Sequence, residues 1–144
     1  MRTLTIALVA CIALAIVAFA SSGGSAVLRC PAGSALAFVA IRPDPQFLVG
    51  TIPSGFTSDA GYFSRRYNCR GLSALVRRID LGIYDVRFPG LDPRAVIATA
   101  TSDEGVTASA LPLGDGIVRV ALRGPLVGGD VMARRDVPFS VVVY

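Results

Sequence analysis

The sequence predicts an all-β fold, a small β-sandwich or a partly open β-barrel preceded by an N-terminal signal helix. Three observations lead there. Short stretches alternate their side chains with a period of two, as in LGIYDVRFPGLD from Leu81 to Asp92, where Tyr84, Val86 and Phe88 share one face and Ile83, Asp85 and Arg87 the other. Clusters of Gly, Pro and Asp-Gly separate these stretches, as turns would. After the N-terminal leader no long segment carries a helical repeat. A sheet with one apolar face must cover that face, and a second sheet is the available cover.

The chain of 144 residues opens with MRTLTIALVACIALAIVAFASS. One Arg at position 2, an apolar stretch from Leu4 to Ala20 broken by Thr5, and small polar residues after it form the layout of a secretory signal peptide. Ala18 and Ala20 put small side chains at the two positions a signal peptidase probes, so cleavage is expected after Ala20. The stretch falls short of the ~20 residues that cross a bilayer comfortably, and membrane attachment is expected only if it stays uncleaved. A lipobox-like Leu8-Val9-Ala10-Cys11 has too short an apolar run before it to compete. The expected organisation is a signal peptide over 1–20, a flexible N-terminal segment over 21–30 and a single all-β domain over 31–144.

Cleavage removes Cys11 and leaves Cys30 and Cys69. In an oxidising compartment a disulfide is expected between them, worth roughly 4 kcal/mol on the chain-entropy estimate. No CxxC is present, so the pair reads as structural rather than redox-active.

The elements follow in order. ALAFVAI, residues 35 to 41, reads as a first buried strand that ends at the prolines of RPDP. Residues 42 to 61 read as a long connection, with Phe47 to Val49 as a short strand inside it. YFSRRYNC, residues 62 to 69, and LSALVRRI, residues 72 to 79, read as extended segments that could pair across Arg70-Gly71. Leu72, Leu75, Val76 and Ile79 also recur at helical spacing; the shortness of the segment between Gly71 and Gly82 favours a strand. Then come the strand around Tyr84, RAVIATAT at 94 to 101, VTASAL at 106 to 111, IVRVAL at 117 to 122 after Gly114-Asp115-Gly116, a looser loop over 124 to 135, and VPFSVVVY at 137 to 144. The last is expected to be paired internally, because an open VVV edge would drive self-assembly.

GIYDVRFPGLD at 82 to 92 and the closing RRDVPFSVVVY at 134 to 144 resemble small secreted β domains of Gram-positive and related bacteria, in which a Gly-x-Tyr-x-Val-x-Phe core strand pairs with a final Phe-Ser-Val strand. The resemblance covers the second half of the chain well and the first half loosely. It implies export and an all-β fold, and it brings no catalytic residues.

Composition removes much chemistry. There is no His, hence neither the usual general base near neutral pH nor a Ser-His-Asp design. All 14 basic residues are Arg, so Schiff-base and Ser-Lys designs are absent too. Asp44, Asp59, Asp92, Asp103, Glu104, Asp115 and Asp130 fall mostly in loops, without a calcium-loop run, and nearly all read as turn formers. No cofactor or metal is expected. A carboxylate-dependent hydrolase would need two acids together, drawn from Asp85, Asp92, Asp103 and Glu104. Asp85 is expected instead in a solvated pair with Arg87 or in a cross-strand salt bridge.

What remains is basic and aromatic: Arg65, Arg66, Tyr67, Arg70, Arg77 and Arg78. If their two segments pair, several guanidinium groups gather around a tyrosine, a grouping suited to carboxylates, phosphates or sulfates. The expected protein is an exported, non-enzymatic β domain of the cell envelope or extracellular space with a binding or structural role. Its partners would be an anionic cell-wall polymer or glycan, or an envelope protein, and no nucleic-acid motif is visible.

Overall fold

The computed structural model describes residues 30, 34–43, 51–102, 105–125 and 132–144. The expected signal peptide, the short strand at 47 to 49 and the acids Asp44, Asp103, Glu104 and Asp130 lie outside the described residues.

The described chain forms nine strands: β1 (Ala37–Ile41), β2 (Phe63–Asn68), β3 (Leu75–Asp80), β4 (Ile83–Arg87), β5 (Val96–Ala100), β6 (Thr107–Gly114), β7 (Ile117–Pro125), β8 (Met132–Arg134) and β9 (Phe139–Val143). They make two antiparallel sheets. The first has the order β2-β1-β9-β5; the second runs β3-β4-β7-β6, with β8 continuing along β7. The architecture is that of a small sandwich, and no barrel closes among the described residues.

Alternation places the core. Tyr84, Val86 and Phe88 from β4 and its end, Val118, Val120 and Leu122 from β7, and Phe139, Val141 and Val143 from β9 are all buried, as are Val39 and Ile41 of β1. Each such large side chain contributes about 1.5–3 kcal/mol by leaving water. The two sheets meet where the Tyr84 and Phe139 rings lie 5.1 Å apart. Thus β4 and β9 pack across the sandwich and do not pair as strands, contrary to the pairing that the resemblance implies. Strand β9 lies between β1 and β5, which satisfies both its edges and removes it as a surface for assembly.

A second expectation is corrected by the topology. Strands β2 and β3 do not form a hairpin: β2 pairs with β1 and β3 with β4, in different sheets. The connection over 69 to 74 crosses from one layer to the other. Part of the long connection before β2 covers the edge of β3 instead, through Thr57 opposite Val76 and an Arg78 N–H donated to the Pro53 carbonyl at 2.9 Å.

Turn chemistry explains the tight corners. Asp115 and Gly116, with φ of 51° and 73°, form the two-residue reversal between β6 and β7, as the Asp-Gly pair suggested. Strand β6 runs further than the alternation of VTASAL implies and takes Pro112 into the ladder; as an edge strand it tolerates the missing donor. Strand β8 falls in the stretch expected to be a loop, where MAR offers no apolar alternation to read.

One polar clip joins the layers at an end of the sandwich. The Asp136 carboxylate, on the crossover from β8 to β9, accepts hydrogen bonds from the Gly82 N–H at 2.7 Å, from the Tyr84 hydroxyl and from Arg78 Nη2. Arg78 Nε is buried without a partner among the described residues. The bond to Asp136 outweighs that desolvation and holds the guanidinium charged, above its usual range.

Candidate functional site

The six residues marked by the sequence are divided between two places. Arg65, Arg66 and Tyr67 stand on β2, the outer strand of the first sheet, and Arg70 follows in the turn. Arg77 and Arg78 are on β3 in the second sheet. Arg78 is consumed by the Asp136 clip, so it does not join a common cluster with β2.

Strand register shows what β2 presents. Tyr67 is opposite Phe38, Phe38 opposite Val142 and Val142 opposite Ile97, so one residue from each strand of the first sheet forms a row on its outer face. Both ends of the row are open to solvent, with Tyr67 52% and Ile97 55% exposed. Arg65, two residues from Tyr67, points to the same face and leads a second row through Ala40, Ser140 and Thr99. An apolar strip beside a guanidinium and hydroxyl-bearing side chains is therefore displayed on the outer face of this sheet.

Arg66 points the other way. Its Nη1 donates to the Ser58 carbonyl at 3.0 Å, and its guanidinium lies over the Phe63 ring. Arg66, Tyr67, Asn68, Gly71 and Leu72 line a shallow cavity of about 220 Å³ beside this edge. Its rim is fixed by Asn68, whose Oδ1 accepts from the Arg70 N–H at 2.8 Å while its Nδ2 donates to the Pro89 carbonyl. The next residue, Cys69, is bonded to Cys30, with the Cα atoms 5.2 Å apart. The expected disulfide is thus present, and it anchors the end of β2.

The second sheet holds the other charged constellation. Asp85 points outward, opposite Arg77 on one side and Arg119 on the other. Arg77 Nε and Nη2 donate to Oδ2 at 3.1 and 2.8 Å; Arg119 Nε donates to Oδ1 at 2.8 Å and its Nη2 to Oδ2 at 3.0 Å. Phe56 stacks on Arg77, with the guanidinium carbon 4.5 Å from the ring centre. Under these groups the carboxylate is 0% exposed. The cross-strand form of the expected salt bridge is the one found; the solvated pair with Arg87 is not, because two guanidinium forks shield Asp85 from water.

Burial alone would raise the Asp85 pKa, but hydrogen bonds from Arg119 and Arg77, together with their charges, outweigh it and hold the carboxyl below its ordinary value. A carboxylate kept ionised and capped is a poor proton donor, which weakens its candidacy for hydrolysis. Asp92, the other described acid of that set, is exposed in a separate loop. Among the described residues no three His, Cys, Asp or Glu side chains come together, and no helix is long and apolar enough to cross a membrane.

No protein-family model matches the chain, and neither a curated protein nor a solved structure matches it.

Sequence reasoning took Phe38 only as the mark of a buried strand, whereas it is half-buried on the outer face, and it gave no role to Arg119 or Asp136. Arg119 carried a usable signal as the one charge inside the alternating IVRVAL. Phe38 gains its place only from the register with β2, and Asp136 from a crossover whose path no local pattern encodes.

Proposed function

We propose that this is an exported, non-enzymatic β-sandwich domain that acts in the cell envelope or outside the cell by binding an anionic wall polymer or glycan. The observation that carries the reading is the display of Arg65 beside the Tyr67, Phe38, Val142, Ile97 row. Sugar rings pack their C–H faces on such a strip, and a guanidinium alongside pairs with carboxylate substituents. An exposed apolar row flanked by polar groups is a common mark of a recognition surface. The Cys30–Cys69 disulfide fits an oxidising compartment, and so supports export through the N-terminal leader.

The test is retention of the purified domain on isolated wall material and on an acidic polysaccharide across a salt series. Retention is expected to fall with salt and to be lost in Arg65→Glu and Tyr67→Ala. Unchanged retention in both variants, with folding intact, would remove the proposal.

A further inference from the structure

The Arg77, Asp85, Arg119 ladder holds two guanidinium groups against one carboxylate, and a third arginine stands beside it. Arg87 is two residues from Asp85 on β4, so it projects from the same face and is a diagonal neighbour of both Arg77 and Arg119. It is exposed and makes no ion pair among the described residues. Asp80, the other carboxylate of these strands, is engaged by Arg134. Among the described residues, one negative charge therefore answers three positive ones on this patch.

Both guanidinium-bearing side chains remain open to solvent, Arg77 at 33% and Arg119 at 40% exposure. Arg77 and Arg119 each use Nε and Nη2 on Asp85, which leaves Nη1 of both free of that carboxylate. Because both Nη2 atoms share the same oxygen, Oδ2, the two planar groups converge on one point. Asp85 fixes them there from beneath and Phe56 holds Arg77 from one face, so an incoming anion meets donors whose side chains are already ordered.

We propose that Arg77, Arg87 and Arg119 form an oxyanion site on the outer face of the second sheet, and that its ligand is a phosphate group. The excess charge matches a divalent anion, and a tetrahedral group offers an oxygen to each of three guanidinium groups approaching from different strands. A carboxylate has only two oxygens and one charge, and fits less well. This site is on the opposite layer from the surface assigned to the glycan and stands independently of it.

The phosphate is either free or carried on a polymer, and titrations with inorganic phosphate and with linear polyphosphate, against chloride at matched ionic strength, separate the two. Tight binding of both supports a site for the free ion; binding of polyphosphate alone supports a chain-borne group. Arg87→Gln touches neither bond to Asp85, and Arg119→Gln leaves Asp85 its partner Arg77, so both variants should fold, as checked by thermal unfolding. Each is expected to weaken binding about tenfold or more, whereas Arg65→Gln and Tyr67→Ala leave it unchanged. Phosphate and polyphosphate that bind no better than chloride would overturn the site. So would wild-type binding by Arg87→Gln and Arg119→Gln. Loss confined to Arg65→Gln and Tyr67→Ala would also overturn it, while leaving the glycan surface standing.

Discussion

The Tyr84 hydroxyl donates to Asp136 Oδ1 across 52 positions of sequence, and so joins the most buried strand of the second sheet to the crossover that leads into the first. The ring is in the core and only its tip is polar, so this bond satisfies a hydroxyl that would otherwise be stranded. Burial first, and then the bond to Asp136, push the phenol well above its ordinary 10.0.

The folded protein therefore keeps the Tyr84 proton where an unfolded chain would release it. Its contribution is complete below pH 10.0 and is lost as pH rises beyond that value towards the folded pKa. Tyr84→Phe should cost about 1–2 kcal/mol at neutral pH and should flatten the alkaline decline. Denaturant melts of both proteins at neutral and strongly alkaline pH measure this.

Asp85 acts at the other end of the scale. Its folded pKa lies below the ordinary 3.8, so its contribution is present above that pH and disappears as pH falls through the folded value. Asp85→Asn should destabilise by about 1–3 kcal/mol, the low end for a buried pair, because Arg77 and Arg119 are partly open and can rehydrate. The variant should also lose less stability on acidification, as followed by urea melts at neutral pH and below pH 3.8.

Loss of the Cys30–Cys69 bond frees a loop of 39 positions. Cys30→Ser with Cys69→Ser should cost about 4 kcal/mol on the chain-entropy estimate. A thermal scan of wild type with and without reductant should show the same loss, and the double variant should be indifferent to reductant.

Gly82 has φ of +61°, and an added Cβ would sit 2.7 Å from the Arg135 N and 2.8 Å from the Leu122 carbonyl oxygen. Both obstacles are backbone, so nothing cheap can move. Gly82→Ala should destabilise by about 2 kcal/mol or more, whereas Gly55→Ala, with open space around it, should be near neutral in the same melt.

Much of this fold is written locally. Tyr84, Val86 and Phe88 or Phe139, Val141 and Val143 declare their face by alternation, and Asp115-Gly116 declares its reversal by the backbone angles it accepts. Layer membership is not local. The same alternation in β2 and β3 is compatible with a hairpin and with a crossover, and the choice depends on which partners bury the remaining faces. That choice dispersed Arg65 to Tyr67 from Arg77 and Arg78. It also set Tyr67 beside Phe38, and Asp85 between two arginines distant in sequence.

Strand β9 is the last of the nine in chain order, yet it is an inner member of the first sheet. Until it arrives, the β2-β1 pair and β5 have no hydrogen bonds to each other, and each offers an open flank to any extended neighbour. A chain whose residues 139–143 have not yet paired cannot complete this layer. Folding of this layer is thereby tied to a pairing between segments far apart in sequence, and while β9 is unpaired the open flanks are where wrong partners would add.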